Sequence, residues 1–218
     1  MTRPESMTSP RWSTVFFKVE NSIFEVPRHR FTEYSEIFED MFSIPQAGDG
    51  VEGKDEGHPI TLDGYESADF RALITVLYPA PLHAVVSGSY TITKEEWVGV
   101  LNLSTRWRMK EIRKHAINEL SKMSLGPLEK VVLARAHKVG KWLEEGLNEI
   151  VVERPVRCPE ELKSQLGLET AFLLIFMMDY TDLRLKLPDA GGNSLPKMEV
   201  NINDAFKEEI ASYESWYQ

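Results

Sequence analysis

The first third of the chain alternates apolar and polar positions in two short runs. Val15-Phe16-Phe17-Lys18-Val19 and Ser22-Ile23-Phe24-Glu25-Val26 are rich in β-branched and aromatic residues, and polar Glu20-Asn21 lies between them. This is the pattern of a β-hairpin. Phe24 and Val26 alternate with Glu25, which predicts one buried face, and Pro27 ends the second strand. The spacing then changes to three and four, with Phe31, Tyr34, Ile37, Phe38, Met41 and Phe42. That period predicts two short helices, the second capped by Ser35. Ile60-Thr61-Leu62 reads as a third strand. Ser67 opens a helix through Phe70, Leu73, Ile74, Leu77 and Tyr78 that stops at Pro79.

Helical periods dominate the rest. Thr93-Lys94-Glu95-Glu96 matches a capping box and opens a helix whose expected buried positions are Trp97, Val98, Leu101 and Leu103. A helix from about Trp107 to Lys122 places Met109, Ile112, Ala116 and Leu120 on one side. Leu125-Gly126-Pro127 breaks the pattern, and Pro127 suits a first helical position. Leu128, Val132, Ala136, Val139 and Leu143 form the next stripe. Glu160 to Leu166 is a short helix and Glu169 to Tyr180 a strongly apolar one. Pro188 to Pro196 reads as a loop. Asn203 is placed to cap a last helix bearing Phe206, Ile210, Tyr213 and Tyr217. No internal repeat is present. The order predicts an α+β fold, in which a small three-stranded sheet carries helical hairpins and a mostly helical extension follows. The expected division is a flexible N-terminus over 1–12, a first domain over 13–122 and the extension over 123–218.

Ser43 to Pro59 breaks both periods. It holds Gly48, Gly50, Gly53 and Gly57 beside Asp49, Glu52, Asp55 and Glu56. Little in it is apolar enough to offset the entropy of ordering, so 43–59 is expected to be a mobile acidic loop that folding does not need.

Composition narrows the function classes. Across 218 residues the formal net charge is −9, with 25 Lys and Arg against 34 Asp and Glu. An acidic chain is a poor general binder of nucleic acid, whose phosphates call for clustered cations. Its one cysteine, Cys158, has no partner for an internal disulfide, and no apolar signal-like run is visible near the N-terminus. The longest apolar run, Ala171 to Met178, falls short of the ~20 residues of a membrane span. The expectation is an intracellular protein, of cytoplasm or nucleus.

Motifs for chemistry are weak. Gly48 to Gly53 formally matches a GxGxxG signature, and with Lys54 it nearly matches a phosphate loop. No strand precedes it, Asp55 stands where a hydroxyl is needed, and its carboxylates repel phosphate. No pair of histidines has i, i+4 spacing and there is no CxxC, so no local metal site is expected. No nucleophile and base share a recognisable spacing, so no catalytic residue and no cofactor is assigned. The rival is a site assembled from distant residues around His115 or His137. Arg106, Arg108, Lys110, Arg113 and Lys114 form the one basic cluster, a dock for an acidic partner or nucleic acid, or else a solvated helix face.

The segments Phe24 to Phe31 and Ser35-Glu36-Ile37-Phe38-Glu39-Asp40-Met41-Phe42 resemble the strand-to-helix passage of the BTB (POZ) domain. Ile60-Thr61-Leu62 and the helix from Asp69 to Tyr78 resemble the elements that follow it. Val26-Pro27-Arg28, Leu77-Tyr78-Pro79 and Glu96-Trp97-Val98-Gly99-Val100-Leu101 are most similar to the large BTB family of mushroom-forming fungi. The resemblance covers about Ser13 to Lys122. It implies a non-catalytic module that binds proteins, as a scaffold or recruiter, with a second copy of itself among the partners. Two positions depart from the pattern. Ser13-Thr14 stands where many BTB domains have a buried Asp, which helps to organise the dimer interface, and Pro27 stands where many have His. Cullin-3 adaptors carry a hydrophobic-x-Glu step after the Tyr78 helix. Pro79 to Tyr90 contains no Glu, so Cullin-3 is not an expected partner. The candidate partner-binding residues are aromatics near both ends, Trp12, Phe16, Phe17, Phe206, Tyr213, Trp216 and Tyr217, together with Arg108, Arg113 and Lys114. The competing reading for the aromatics is burial within their own chain.

Overall fold

The computed structural model describes residues 13–44, 51–79, 91–153, 158–186 and 202–215. Strand β1 (Thr14–Val19) lies at the centre of a three-stranded sheet of order β2-β1-β3. It runs antiparallel to β2 (Ser22–Pro27) and parallel to β3 (Ile60–Leu62). Val15 pairs with Val26 and Phe17 with Phe24, so the period of two sends these four side chains to one face. Phe16, Lys18, Ile23 and Glu25 share the other.

The inner face packs on helices α1 (His29–Tyr34), α2 (Glu36–Ser43) and α3 (Ser67–Leu77). Then come α4 (Lys94–Arg106) and α5 (Lys110–Lys122). The core here is aromatic. The Phe17 ring lies 5.2 Å from Phe31, 5.8 Å from Phe38 and 5.4 Å from Phe70, mostly edge-on or tilted. Trp107 closes the cluster, 5.0 Å from Phe38 and 6.0 Å from Phe70. Tilted and edge-on pairs of this kind gain from ring quadrupoles as well as from burial. Of the three expected caps, those of Ser35 and Thr93 are present, whereas Asn203 lies inside the short helix Ile202–Ala205 and its amide donates to Glu144 Oε1 at 2.9 Å. Ser35 Oγ accepts from the Phe38 N–H, and Thr93 with Glu96 forms the full capping box.

The acidic loop departs from expectation over its second half. Gly53 is buried at φ +79°, where a Cβ would lie 2.8 Å from Val15 Cγ2 and 2.9 Å from Ile60 Cδ1. The Phe16 N–H donates to the Gly53 carbonyl at 3.0 Å, and the Gly53 N–H to the His58 carbonyl at 2.6 Å. Asp55 Oδ1 accepts from the Gly57 and His58 N–H groups, both at 3.0 Å. Residues 51–58 are thus a folded turn held against β1. Gly53 serves close backbone approach and a left-handed position rather than freedom. Residues 45–50 lie outside the described residues.

The chain divides into two compact units, Met1–Met123 and Ser124–Gln218. The second is built from α6 (Pro127–His137), α7 (Gly140–Val152), α8 (Pro159–Leu166), α9 (Leu168–Lys186), α10 (Ile202–Ala205) and α11 (Lys207–Ser215). Pro127 and Pro159 both open helices, as their fixed φ favours. Lys138 at φ 54° ends α6 in the left-handed region, so the stripe expected from Leu128 to Leu143 is split. On α6 the buried residues are Val131, Ala134 and His137, while Val132 is exposed. The expected register was one residue off. Trp142, Leu143, Leu147 and Ile150 of α7 form the centre of this unit, with α6, α9 and α11 packed around it. Gly146 makes the α6–α7 crossing possible, because a Cβ there would meet the Pro127 carbonyl and Val131 Cγ2 at 2.8 Å. Among the described residues no helix is long and apolar enough to cross a membrane.

Candidate interaction surface

The two faces of β1 separate the two N-terminal aromatic candidates. Phe17 lies wholly within the aromatic core, so it is not available to a partner. Its neighbour Phe16 points the other way and is half-buried on the outer face. The register places Phe16 opposite Glu25 and Lys18 opposite Ile23, which makes Phe16 and Ile23 diagonal neighbours on that face. Ile23 is 46% exposed, on a strand with no hydrogen-bonded neighbour beyond it among the described residues. Ile37 of α2 is exposed as well. Ile23 was missed in the sequence, although its parity was the signal. It shares a face with Glu25, not with Phe24.

Beside this face is an open cleft of about 320 Å³, between the start of β1, the end of α2 and the 51–54 turn. Thr14, Arg28, Phe42 and Lys54 are among its lining residues. The Arg28 guanidinium lies over the Phe42 ring, 5.1 Å from its centroid. The lining sets the Arg28 and Lys54 cations beside the Glu52 carboxylate and the apolar Met41 and Ile44.

The basic cluster is divided by burial. Arg113 is buried, and burial lowers its pKa to about 10. Arg106 lies over the Tyr65 ring, 5.5 Å from its centroid. Arg108, at φ 53°, is the left-handed residue that ends α4. Lys110 and Lys114 are exposed. Helical geometry explains the scatter: the cluster straddles a helix end and the next helix, and Arg113 falls on the inward side with Ile112 and Ala116. Arg106, Arg108, Lys110 and Lys114 stay exposed, so the cluster keeps four surface cations and loses Arg113 to the interior.

The C-terminal aromatics also turn inward. Phe206 and Tyr213 are buried within the second unit, where α10 and α11 pack on α7. The Tyr213 hydroxyl donates to Glu209 Oε1 at 2.6 Å, and Lys138 Nζ lies 4.8 Å from the centre of its ring. Burial is the largest cause raising the Tyr213 pKa, with the Glu209 carboxylate second. These two residues are core, not an exposed stripe, because their apolar area is spent on α7. Trp12, Trp216 and Tyr217 lie outside the described residues, as does the Cullin-3 segment from Ala80 to Tyr90.

Groups that could do chemistry are scattered. Among the described residues no three His, Cys, Asp or Glu stand close enough to hold a metal ion. His58 Nδ1 is 2.9 Å from Asp55 Oδ1 in an exposed turn. His115 lies edge-on to Trp97, 5.2 Å between ring centres, and His137 is buried in the other unit. The exposed Cys158 thiol donates to Glu160 Oε2 at 2.8 Å, at the N-cap of α8.

The BTB/POZ domain family profile matches residues 5–124, more than half of the chain. The chain belongs to the BTB/POZ family. Comparison with curated proteins gives no match. BTB domains are generally protein–protein interaction modules and typically non-catalytic; they bind protein partners and often dimerise. The matched stretch spans the sheet and α1 to α5, together with the outer sheet face and the Arg28 cleft.

Proposed function

We propose that this BTB protein is a non-catalytic scaffold or recruiter inside the cell, in cytoplasm or nucleus, and that it associates with itself through its first unit. The observation that carries the reading is the apolar pair Phe16 and Ile23 on the outward face of a BTB sheet, beside the outer edge of β2. An exposed isoleucine and a half-buried phenylalanine on a short strand gain by covering one another's like in a second copy, and edge backbone groups add hydrogen bonds. The Val26-Pro27-Arg28, Leu77-Tyr78-Pro79 and Glu96 to Leu101 segments support a place within the expanded BTB family of mushroom-forming fungi.

The test is the mass of the full chain in solution across a dilution series, by light scattering or sedimentation. A dimer that becomes a monomer in Phe16→Ser/Ile23→Lys, with circular dichroism unchanged, supports the reading. A monomer at every concentration, or a dimer indifferent to both substitutions, removes self-association through this face.

A further inference from the structure

Helix α9 presents an apolar face to solvent within the second unit. Its buried side is Ala171, Leu174, Met177 and Met178, which account for the core role of the long apolar run. Three large side chains lie on the opposite side at i, i+4 and i+8. Leu168 is 68% exposed, Phe172 67% and Phe176 44%. Leu168, Glu169, Phe172 and Leu173 line a concavity of about 550 Å³. Single exposed apolar residues are ordinary, but a contiguous stripe over a little more than two turns of one helix marks an interaction site. The sequence concealed it, because the run 171–178 is apolar all round and its outward positions look like core.

Charge says what covers the face. Glu169 and Asp179 fall on the same exposed side of α9, one at each end of the stripe. They stand about 15 Å apart along the axis, at 1.5 Å per residue. From Leu168 to Asp179 the helix carries no Lys or Arg. A second copy fits poorly. Antiparallel pairing about the phenylalanines sets Glu169 against the other copy's Asp179, and parallel pairing sets each carboxylate against its own counterpart. Like charges in opposition disfavour both. An amphipathic helix with apolar residues at i and i+4, and with Lys or Arg about ten positions apart at its ends, fits on both counts. The net charge of −9 steers such a cation toward this chain. From this arrangement we infer that the α9 face of the second unit is a docking groove for a basic amphipathic helix of another protein. The inference is independent of how the BTB unit associates.

The experiment uses the full chain and a fluorescein-labelled amphipathic peptide of about 16 residues, roughly four helical turns. The peptide has Leu anchors and Lys at both ends, and a twin carries Glu at the ends instead. Fluorescence anisotropy should show saturable binding of the Lys peptide, weakened by salt, and none of the Glu twin. Phe172→Asp should weaken it by about tenfold or more, as for a central anchor. Glu169→Lys/Asp179→Lys leaves the apolar stripe intact and should reverse the preference between the two peptides. No binding of the Lys peptide overturns the inference. So does equal binding of both peptides, which marks unspecific stickiness, or a Phe172→Asp protein that binds like the unaltered chain. A self-associated chain that Phe172→Asp converts to monomer also overturns it, because a second copy is then the occupant.

Discussion

The Ser35 hydroxyl donates a 2.7 Å hydrogen bond to the backbone carbonyl of Trp107, 72 positions further along the chain. The same oxygen accepts from the Phe38 N–H at 3.4 Å, so one buried side chain caps the start of α2 and satisfies a carbonyl just past the end of α4. The capping role is local and readable in sequence. The tie to Trp107 is not; it holds the backbone of the residue whose indole closes the aromatic cluster and donates to the Tyr65 hydroxyl at 3.1 Å.

Ser35→Ala removes a cap and leaves a buried carbonyl unsatisfied. Each loss costs roughly 1 kcal/mol, so about 2 kcal/mol of stability is expected to go. Ser35→Asp separates the two roles. A carboxylate still caps α2, but it cannot donate to Trp107 and brings a charge against a carbonyl. Thermal unfolding should therefore rank unaltered chain above Ser35→Ala, and Ser35→Asp lowest. An Asp variant as stable as the serine protein would mean that the long-range bond contributes nothing.

Arg108 reads as part of a basic patch, but its position is first a backbone matter. The Met109 N–H donates to the Ser104 carbonyl at 2.9 Å and the Arg108 N–H to Thr105 at 3.4 Å, the pattern that closes a helix through one left-handed residue. A side chain at φ 53° costs roughly 1 kcal/mol that glycine avoids, less the entropy glycine adds to the unfolded chain. Arg108→Gly is thus expected to match or slightly exceed the unaltered protein in melting temperature. Arg108→Val should fall well below it, because a β-branched residue resists this conformation. Partner binding lost in the stable glycine variant would place the guanidinium at an interface.

The hairpin, most of the helix periods, the Ser35 and Thr93 caps and the Pro127 start were legible in the sequence, since each rests on residues near one another along the chain. Burial of particular glycines and charges was not, since it depends on what arrives from elsewhere. Arg113 looks like surface until Ile112 and Ala116 fix the inward side of α5. Phe172 looks like core until α7 claims only one side of α9. The Gly-rich acidic run misled for the same reason. Gly53 is defined by Val15 and Ile60, which lie at a distance from it in sequence or within β3.

Gly53 therefore supplies a direct test of whether that segment matters to folding. A methyl group there meets Val15 Cγ2 at 2.8 Å, in a backbone region closed to most residues. Gly53→Ala should cost on the order of 1–3 kcal/mol through strain and displaced packing. Gly57→Ala, near only the Asp55 carboxylate at 3.2 Å and without a positive φ, should cost much less. Denaturant midpoints of the two variants measure the contrast. Equal and small losses would return the whole run to the category of a dispensable loop.

The second unit carries its own pH dependence in Glu209. Burial alone would raise this carboxyl's pKa. Burial is the largest single influence, but it is outweighed jointly by the Arg135 guanidinium, donating from Nε to Oε1 at 2.9 Å and from a terminal nitrogen to Oε2 at 3.1 Å, the Tyr213 hydroxyl and the Lys138 charge. The net direction is downward from 4.5. A carboxyl whose pKa is lower folded than unfolded contributes stability that is fully present above the unfolded value. That stability is lost as the pH falls through the folded one. Arg135 also donates to the Leu166 carbonyl and to Thr170 Oγ1, both at 2.9 Å. Protonating Glu209 thus loosens the join of α6 with α11 while the guanidinium stays tied to the α8–α9 junction. Glu209→Gln should lower the melting temperature at neutral pH, and the gap to the unaltered chain should close as the pH drops below 4.5. A gap that stays constant across that range would show that the Glu209 charge is not what holds α11 in place.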